Sequence, residues 1–403
     1  MRRSLSLLLA VLALAAPGSA PAAQAPLQTR LDRALTVPHV DPTRAAALAI
    51  DLRTGAVVYA RNTDRVLAPA STEKLTLAYA LLVRLGPAYR IHTDLYGTGG
   101  PDGAVWRGDL VLKGYGDPTL TKWALKALAR KVAASGIRRV SGSVLADESY
   151  FDWRRVGPGW KRSYYIEESP PLSALVVDRA RVGPRTTTRP ALTAAEKLRA
   201  YLRAAGVAVT GGVATGRAPA GATLLAKRSS PPLARILRTM LGDSDNFTAE
   251  MLLKHLGAVE RGRGTSAAGT TAVAEVLRGD RIPLAGVRLA DGSGLSLLDR
   301  LTTQTLAAIL ESAWDDPVLR GVFLSTLAVA GKRGTLEHRL EGRAVAGKVV
   351  AKTGTTLRSS ALAGYVDGRY AFAVIHNGSP VWSLYARRAQ DRFVTVLAKA
   401  PTN

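Results

Sequence analysis

The chain contains no cysteine, only three methionines and only 6% aromatic residues. Without thiols there is no disulfide, no thiolate metal site and no cysteine to carry a lipid, so packing alone must hold the fold. The five histidines, at 39, 92, 255, 338 and 376, fall without metal-ligand spacing, and neither a metal nor any other cofactor is expected. Acidic residues are scarce. There are 31 Asp and Glu against 55 Lys and Arg, a net charge of +24 to which Arg2 and Arg3 contribute two. Such a surplus suits association with an anionic cell wall or membrane surface. Nucleic acid is not expected, because no aromatic–basic RNA motif accompanies the charge. Long apolar runs are also missing. The one at residues 5–16 is too short to span a membrane. Preceded by Arg2 and Arg3 and followed by small residues at 17–22, it reads as a secretory signal peptide, assigned to 1–25. The expectation is an exported protein, periplasmic or wall-associated, and soluble once the signal peptide is removed.

What the chain has is length and apolar content: 403 residues, 47% hydrophobic, enough for two or three cores. Residues 28–37 read as a short helix. Residues 45–50 and 57–60 flank Asp51 to Gly55 as a β-hairpin with a glycine turn. A helix whose apolar face carries Leu75, Ala78, Leu81 and Leu82 follows and stops at Gly86-Pro87. From 91 to 228 short strands, including 109–112 and 140–145, alternate with helices at 121–135 and 193–205, punctuated by Gly and Pro. Helices are then expected at 231–241, 247–257, 268–278, 301–314 and 317–329. Strands follow at 346–352, 360–366 and 371–377, and a last helix at 385–398.

Three motifs carry chemistry. Ser71 and Lys74 lie three apart at the start of a helix, so they share a face. A serine hydroxyl needs a neighbouring base to become a nucleophile, and a lysine removed from water gives up its proton more readily. Unpaired N–H groups at the helix start suit an oxyanion. Taken alone, the same residues also describe a helix cap beside a solvated lysine. Ser244 and Asn246 fall in a loop between two helices, where a hydroxyl can relay a proton and an amide can hold a carbonyl; alone, they too read as capping residues. Lys352, Thr353, Gly354 and Thr355 end an apolar strand. Lys352 and the two threonine hydroxyls could bind a carboxylate, and Gly354 lets a substrate lie flush. Each motif is weak by itself. S-x-x-K at a helix start, S-x-N between helices and K-T-G on a strand, in that order, form the set expected of penicillin-interacting serine enzymes.

With these motifs the chain resembles the D-alanyl-D-alanine carboxypeptidase/endopeptidase family, the low-molecular-mass class C penicillin-binding proteins. The likeness extends to Gly116-Asp117-Pro118-Thr119-Leu120, to residues 170–175, to Asp291-Gly292-Ser293-Gly294-Leu295-Ser296 and to residues 361–366. The resemblance implies an α+β fold, a penicillin-binding-protein/β-lactamase-like transpeptidase domain with a five-stranded antiparallel sheet flanked by helices. That domain would be discontinuous, residues 26–90 and 229–403, with 91–228 as an inserted α+β region of one or two lobes.

The resemblance also implies the chemistry. Ser71 attacks the carbonyl between two terminal D-alanines, Lys74 takes its proton, and Ser244 passes one to the leaving amine. Asn246 orients the substrate amide, and Lys352, Thr353 and Thr355 hold its carboxylate end. The backbone N–H groups of Ser71 and Thr355 form the oxyanion hole. The expected substrates are peptidoglycan stem peptides, with D-alanyl cross-links open to the same reaction, and β-lactams are expected as covalent inhibitors. Asp147 resembles an inserted-lobe acid that meets the amino end of the stem peptide's third residue. Many relatives carry an arginine directly after the D-G-S-G-L-S segment; Leu297 stands there in this chain and Arg300 comes three residues later, which leaves that third residue open. A β-lactamase is the nearest rival, but no E-x-x-x-N element lies between Ser71 and Ser244 to activate a deacylating water. A non-catalytic wall-binding protein of the same fold is disfavoured by the intact motifs.

Overall fold

The computed structural model describes residues 25–401; the expected signal peptide at 1–25 lies outside the described residues save its last. In chain order the elements that position the site begin with α1 (Leu27–Leu35), β1 (Ala45–Asp51), β2 (Ala56–Arg61), a 3-10 turn at Ala70–Glu73 and α2 (Lys74–Leu85). Next come β3 (His92–Gly97), β4 (Leu110–Gly114), α3 (Lys122–Ala134), β5 (Val144–Asp147), α4 (Pro190–Ala204), β6 (Val213–Thr215) and β7 (Thr223–Ser229). Five helices follow: α5 (Leu233–Gly242), α6 (Asn246–Arg261), α7 (Ser266–Gly279), α8 (Thr303–Asp315) and α9 (Leu319–Thr326). The chain ends with β8 (Ala328–Val329), β9 (Val349–Thr355), β10 (Ser359–Val366), β11 (Tyr370–Asn377) and α10 (Ser383–Ala398).

The larger sheet has the order β8-β9-β10-β11-β1-β2, and every pair in it is antiparallel. Strands β1, β10 and β11 are buried along nearly their whole length, which explains their near-continuous apolar sequence: a strand covered on both faces has no polar side to show. Alternate residues feed two cores. Phe372 and Val374 pack with Leu31, Leu35, Phe393 and Leu397 of α1 and α10. Ala371, Ala373 and Ile375 face the other way, towards a helical layer that includes Leu75, Leu81, Leu237, Leu252 and Leu310. Helix α2 lies inside that layer, with Lys74 to Leu82 all buried. It is therefore enclosed on every side rather than amphipathic, because α5, α6, α7 and α8 surround it.

Residues 92–229 carry a second sheet, of order β6-β5-β4-β3-β7. The first two pairings are parallel and the last two antiparallel. Its core, built from Leu110, Leu112, Val144, Leu125, Leu198 and Leu202 among others, is separate from those of the larger sheet. The entering and leaving strands, β3 and β7, pair with each other from Thr223↔Gly97 to Ser229↔His92. The chain therefore enters and leaves this stretch at one place.

Three expectations change. The run at 140–145 is two strands, not one, because Ser141-Gly142-Ser143 interrupts it and its halves join different sheets. The helix expected at 317–329 stops at Thr326, and Ala328 and Val329 instead pair with Ala351 and Val350. That two-residue edge makes the larger sheet six-stranded rather than five-stranded.

Candidate active site

Ser71 lies in the 3-10 turn, and Lys74 is the first residue of α2. In a 3-10 turn side chains three apart eclipse one another, which brings Lys74 Nζ to 3.0 Å from Ser71 Oγ. Ala70 enters the turn with φ +48°, a left-handed conformation uncommon for a residue with a Cβ. Lys74 Nζ also donates to Asn246 Oδ1 at 2.8 Å and to the carbonyl of Ser293 at 2.6 Å. Lys74 is fully buried, and burial pulls its pKa down to about 8 against the opposing pull of Asp291, Glu250, Asp245 and Glu73.

Ser244 sits between α5 and α6 with φ +61°, held by the turn that lets Asp245 cap α6 through Thr248 N and Oγ1. Its Oγ accepts from Lys352 Nζ at 2.8 Å, and Lys352 also donates to the Thr353 carbonyl at 2.7 Å. Lys352 is fully buried, which holds its pKa well below the usual lysine value; the nearby Lys74 charge adds to the effect.

Strand β9 brings the K-T-G segment against the Ser71 turn. A Cβ on Gly354 would lie 2.9 Å from the Pro69 carbonyl and 3.1 Å from Ser71 N, so only glycine allows this approach. β8 covers β9 only at Val350 and Ala351, leaving the edge from Lys352 to Thr355 open. Thr356 N bonds to Ser359 O on the β10 side. The alternation of an antiparallel ladder then turns the N–H groups of Thr353 and Thr355 away from β10, towards that open edge. Thr353 and Thr355 line a cleft of about 990 Å³ together with Ser71, Ser244 and Asn246.

All the residues of the three motifs thus meet at one cleft. Asp147 does not join them. Its carboxylate is buried and taken by Ser149 N and Oγ, Ala218 N and Lys113, which makes it a strand-end fixture of the second sheet. Several cleft residues were not legible in advance. Lys161, Tyr164 and Glu168 reach it from the inserted stretch, and Asn246 Nδ2 lies 3.4 Å from Glu168 Oε2. Arg339 comes from the loop before β9 and Arg387 and Arg388 from α10; Arg387 donates to Thr355 Oγ1 at 3.3 Å. None carries a sequence signal beyond the charge or polarity of its side chain. An adjoining cavity of about 370 Å³ shares Lys161, Tyr164 and Leu295 with the cleft. It is lined by five cations, Arg44, Arg65, Lys161, Arg300 and Arg358, and by no carboxylate. Among the described residues no cluster of side chains fit to hold a metal occurs, and no helix is long and apolar enough to cross a membrane.

The D-Ala-D-Ala carboxypeptidase 3 (S13) family matches residues 27–191 and 184–400. A D-alanyl-D-alanine carboxypeptidase of Actinomadura sp. is 32% identical over 87% of this chain and 81% of its own length. A carboxypeptidase of Mycobacterium tuberculosis is 34% identical over 93% of this chain and 85% of its own. Among solved structures, penicillin binding protein 4 from Haemophilus influenzae superposes with a TM-score of 0.80 at 24% identity, covering 92% of this chain and 98% of that one.

Proposed function

The chain belongs to the D-Ala-D-Ala carboxypeptidase 3 (S13) family, and from that premise we propose how this serine-type DD-peptidase of peptidoglycan divides the work among its residues. One observation carries the reading: Lys74 Nζ has three neighbours, Ser71 Oγ, Asn246 Oδ1 and the Ser293 carbonyl. The last two can only accept. A neutral lysine amine has two N–H bonds to give them, and its lone pair is then left for the Ser71 hydroxyl proton.

Ser71 Oγ transfers its proton to Lys74 Nζ as it attacks the carbonyl carbon between the terminal D-alanines. The oxyanion is held by the N–H groups of Ser71 and Thr355, the latter turned to the open strand edge. The substrate lies along that edge as an added strand, with its carboxylate towards Lys352, Thr353 and Thr355, and with Asn246 orienting its amide. As the tetrahedral intermediate collapses, the C–N bond breaks and the departing amine takes a proton from Ser244 Oγ, which Lys352 replaces. Water then hydrolyses the ester on Ser71: the serine oxygen recovers its proton from Lys74, and the carboxylic acid released returns one to Lys352. Cross-links ending in the same D-alanyl bond undergo the same steps. β-Lactams present an amide to the same serine and are proposed to acylate it.

Residues 26–90 and 229–403 are assigned to the catalytic domain and 91–228 to an insertion, which supports the cleft through Glu168. The carboxylate-free cavity beside the cleft favours a stem peptide that places an anionic group there. The net charge of +24 favours residence near anionic wall polymers or membrane surfaces. Incubation with a fluorescent penicillin tests the reading: covalent label on the wild type, lost in Ser71→Ala, is expected. An unlabelled wild type, or a labelled Ser71→Ala, overturns it.

A further inference from the structure

Behind Lys74 lie four carboxyl groups, Glu73, Glu250, Asp291 and Asp299, all at most 2% exposed. They come from three parts of the chain, the Ser71 turn, α6 and the loop between α7 and α8, and gather around residues 290–296 of that loop. Asp291 differs from the others. Its two oxygens accept five donors: Trp160 Nε1 at 2.7 Å, Ser293 N at 3.1 Å, Ser293 Oγ at 2.9 Å, Gly294 N at 2.7 Å and Ser296 N at 2.9 Å. These are the surroundings of an ionised carboxylate. Each of the other three keeps one oxygen with no partner: Glu73 Oε2, Glu250 Oε2 and Asp299 Oδ2. A bare buried oxygen is costly on an anion and much less so on a neutral acid.

The same groups shape the loop. Glu250 Oε1 accepts from Gly292 N and Ser293 N, and Asp299 Oδ1 from Ala290 N and Asp291 N. Gly294 has φ +80°, and a Cβ there would fall 2.0 Å from the Ala70 carbonyl, so the loop lies pressed against the Ser71 turn. In this position the Ser293 carbonyl meets Lys74 Nζ.

We propose that Asp291 is a positioning residue for Lys74: it is the one anion of a buried four-carboxyl cluster, it fixes the Ser293 carbonyl and so the direction of the lysine amine, and Glu73, Glu250 and Asp299 carry the cluster's protons. Burial and then the Asp291 charge push Glu73 and Asp299 well above the usual carboxylate range, and Glu250 up to about 8. The titratable groups facing Lys74 are Asp291, Glu250, Asp245 and Glu73, with Lys352 on the strand side. Trp160 lies in the stretch 91–228, so a residue of the insertion helps hold the catalytic lysine. The inference rests on Lys74 acting as the base for Ser71.

The test is the pH dependence of the penicillin acylation rate for three variants, each checked for a native melting transition. Asp291 favours the charged form of Lys74. Removing its charge in Asp291→Asn should therefore move the midpoint of the rising limb to lower pH, by about one unit. The plateau should fall as well, since an amide cannot serve all five donors. Asp299→Asn, which replaces a group already neutral, should leave the midpoint where it is. Trp160→Phe keeps the charge but loosens its hold, so the plateau should fall several-fold at an unmoved midpoint, and this variant carries the test should Asp291→Asn not fold. A midpoint that stays or rises in Asp291→Asn, or an unchanged plateau in Trp160→Phe, overturns the inference while leaving serine acylation intact. A wild type that takes no label overturns both.

Discussion

Lys352 Nζ lies 2.8 Å from Ser244 Oγ, joining the middle of β9 to a helix–helix loop 108 residues away. Both groups are buried or half-buried, and Ser244 Oγ has no other donor among the described residues. Lys352→Met should therefore leave the leaving-group proton without a supply. Release of D-alanine from a pentapeptide should fall about 10²–10⁴-fold, read by a coupled D-alanine assay, with penicillin labelling of Ser71 reduced less than peptide turnover.

Gly354→Ala tests the approach of β9 to the Ser71 turn. The added methyl meets the Pro69 carbonyl, Ala70 Cβ and Ser71 N at 2.9–3.1 Å. The strand has to retreat by a few tenths of an ångström and takes the Thr355 N–H with it. Acylation should slow by about 10–100-fold, somewhat less than the loss of a whole oxyanion donor, and the melting temperature should change little.

The pH dependence of acylation and that of stability have different origins. Lys74 must be neutral to accept a proton, so the acylation rate should rise as pH rises through about 8. The buried histidines make one contribution to the pH dependence of stability. His255, between Tyr89 Oη and the Tyr115 carbonyl, and His376 are both pushed down to about 4 by burial. A histidine of ordinary pKa, about 6.5, binds a proton in the unfolded chain before these do in the folded one. Their contribution is thus complete above about pH 6.5 and lost as pH falls towards 4, up to roughly 3 kcal/mol each. Glu73, Glu250 and Asp299, neutral in the fold but ionised in the unfolded chain above about pH 4.5, contribute in the opposite sense. The histidine part is therefore read by difference: between pH 7.5 and 4.5 the wild type should lose stability relative to His376→Gln in thermal unfolding.

Substrate choice should follow the five cations beside the cleft. Peptides whose third residue carries a free carboxylate on its side chain should be cleaved with a kcat/KM about tenfold above those with a lysine there, since a single charge-assisted contact is worth about that much. Equal values for the two peptides would remove the cavity from the substrate's path. Arg300 is not the only candidate for the contact, because its Nη1 already donates to the carbonyls of Leu297 and Asp299.

Arg179 grips Asp245 through both terminal guanidinium nitrogens, Nη1 and Nη2, and Asp245 in turn caps α6 beside Ser244. Arg179→Ala should lower kcat a few-fold with little change in KM, measured on the pentapeptide, by loosening the strained Ser244 loop. Arg179→Lys should restore only part, since an ammonium cannot make the two-pronged contact.

The sequence allowed the three motifs to be read because each is local: a spacing of three on a helix, a hydroxyl and an amide two apart, a lysine and a glycine on a strand. Their convergence could be inferred only from the set. What stayed hidden depends on burial and on distance along the chain. Glu73, Glu250, Asp291 and Asp299 read one by one as ordinary acids, and nothing local says that water never reaches them. Trp160, Glu168 and Arg179 sit in a turn-rich stretch whose partners lie 66 or more residues away. Asp147 stands apart from the cleft for a local reason. Its local pattern, an acid at a strand end before Ser149, was satisfied by its own turn. Helix α2 looked one-sided because periodicity records the apolar face and is silent about alanines and threonines that pack just as closely.

The pairing of β1 with β11 sets a timetable for the chain. Ala45 bonds alongside His376 and Asp51 alongside Tyr370, so the larger sheet lacks its central partnership until residues 370–376 have been made. The smaller sheet has all its strands between residues 92 and 229 and does not wait. Contacts this far apart form late and slowly. A nascent chain of this design can close its smaller sheet early but leaves the larger one open until its C-terminal strands emerge, so the active site at the edge of the larger sheet is among the last parts to assemble.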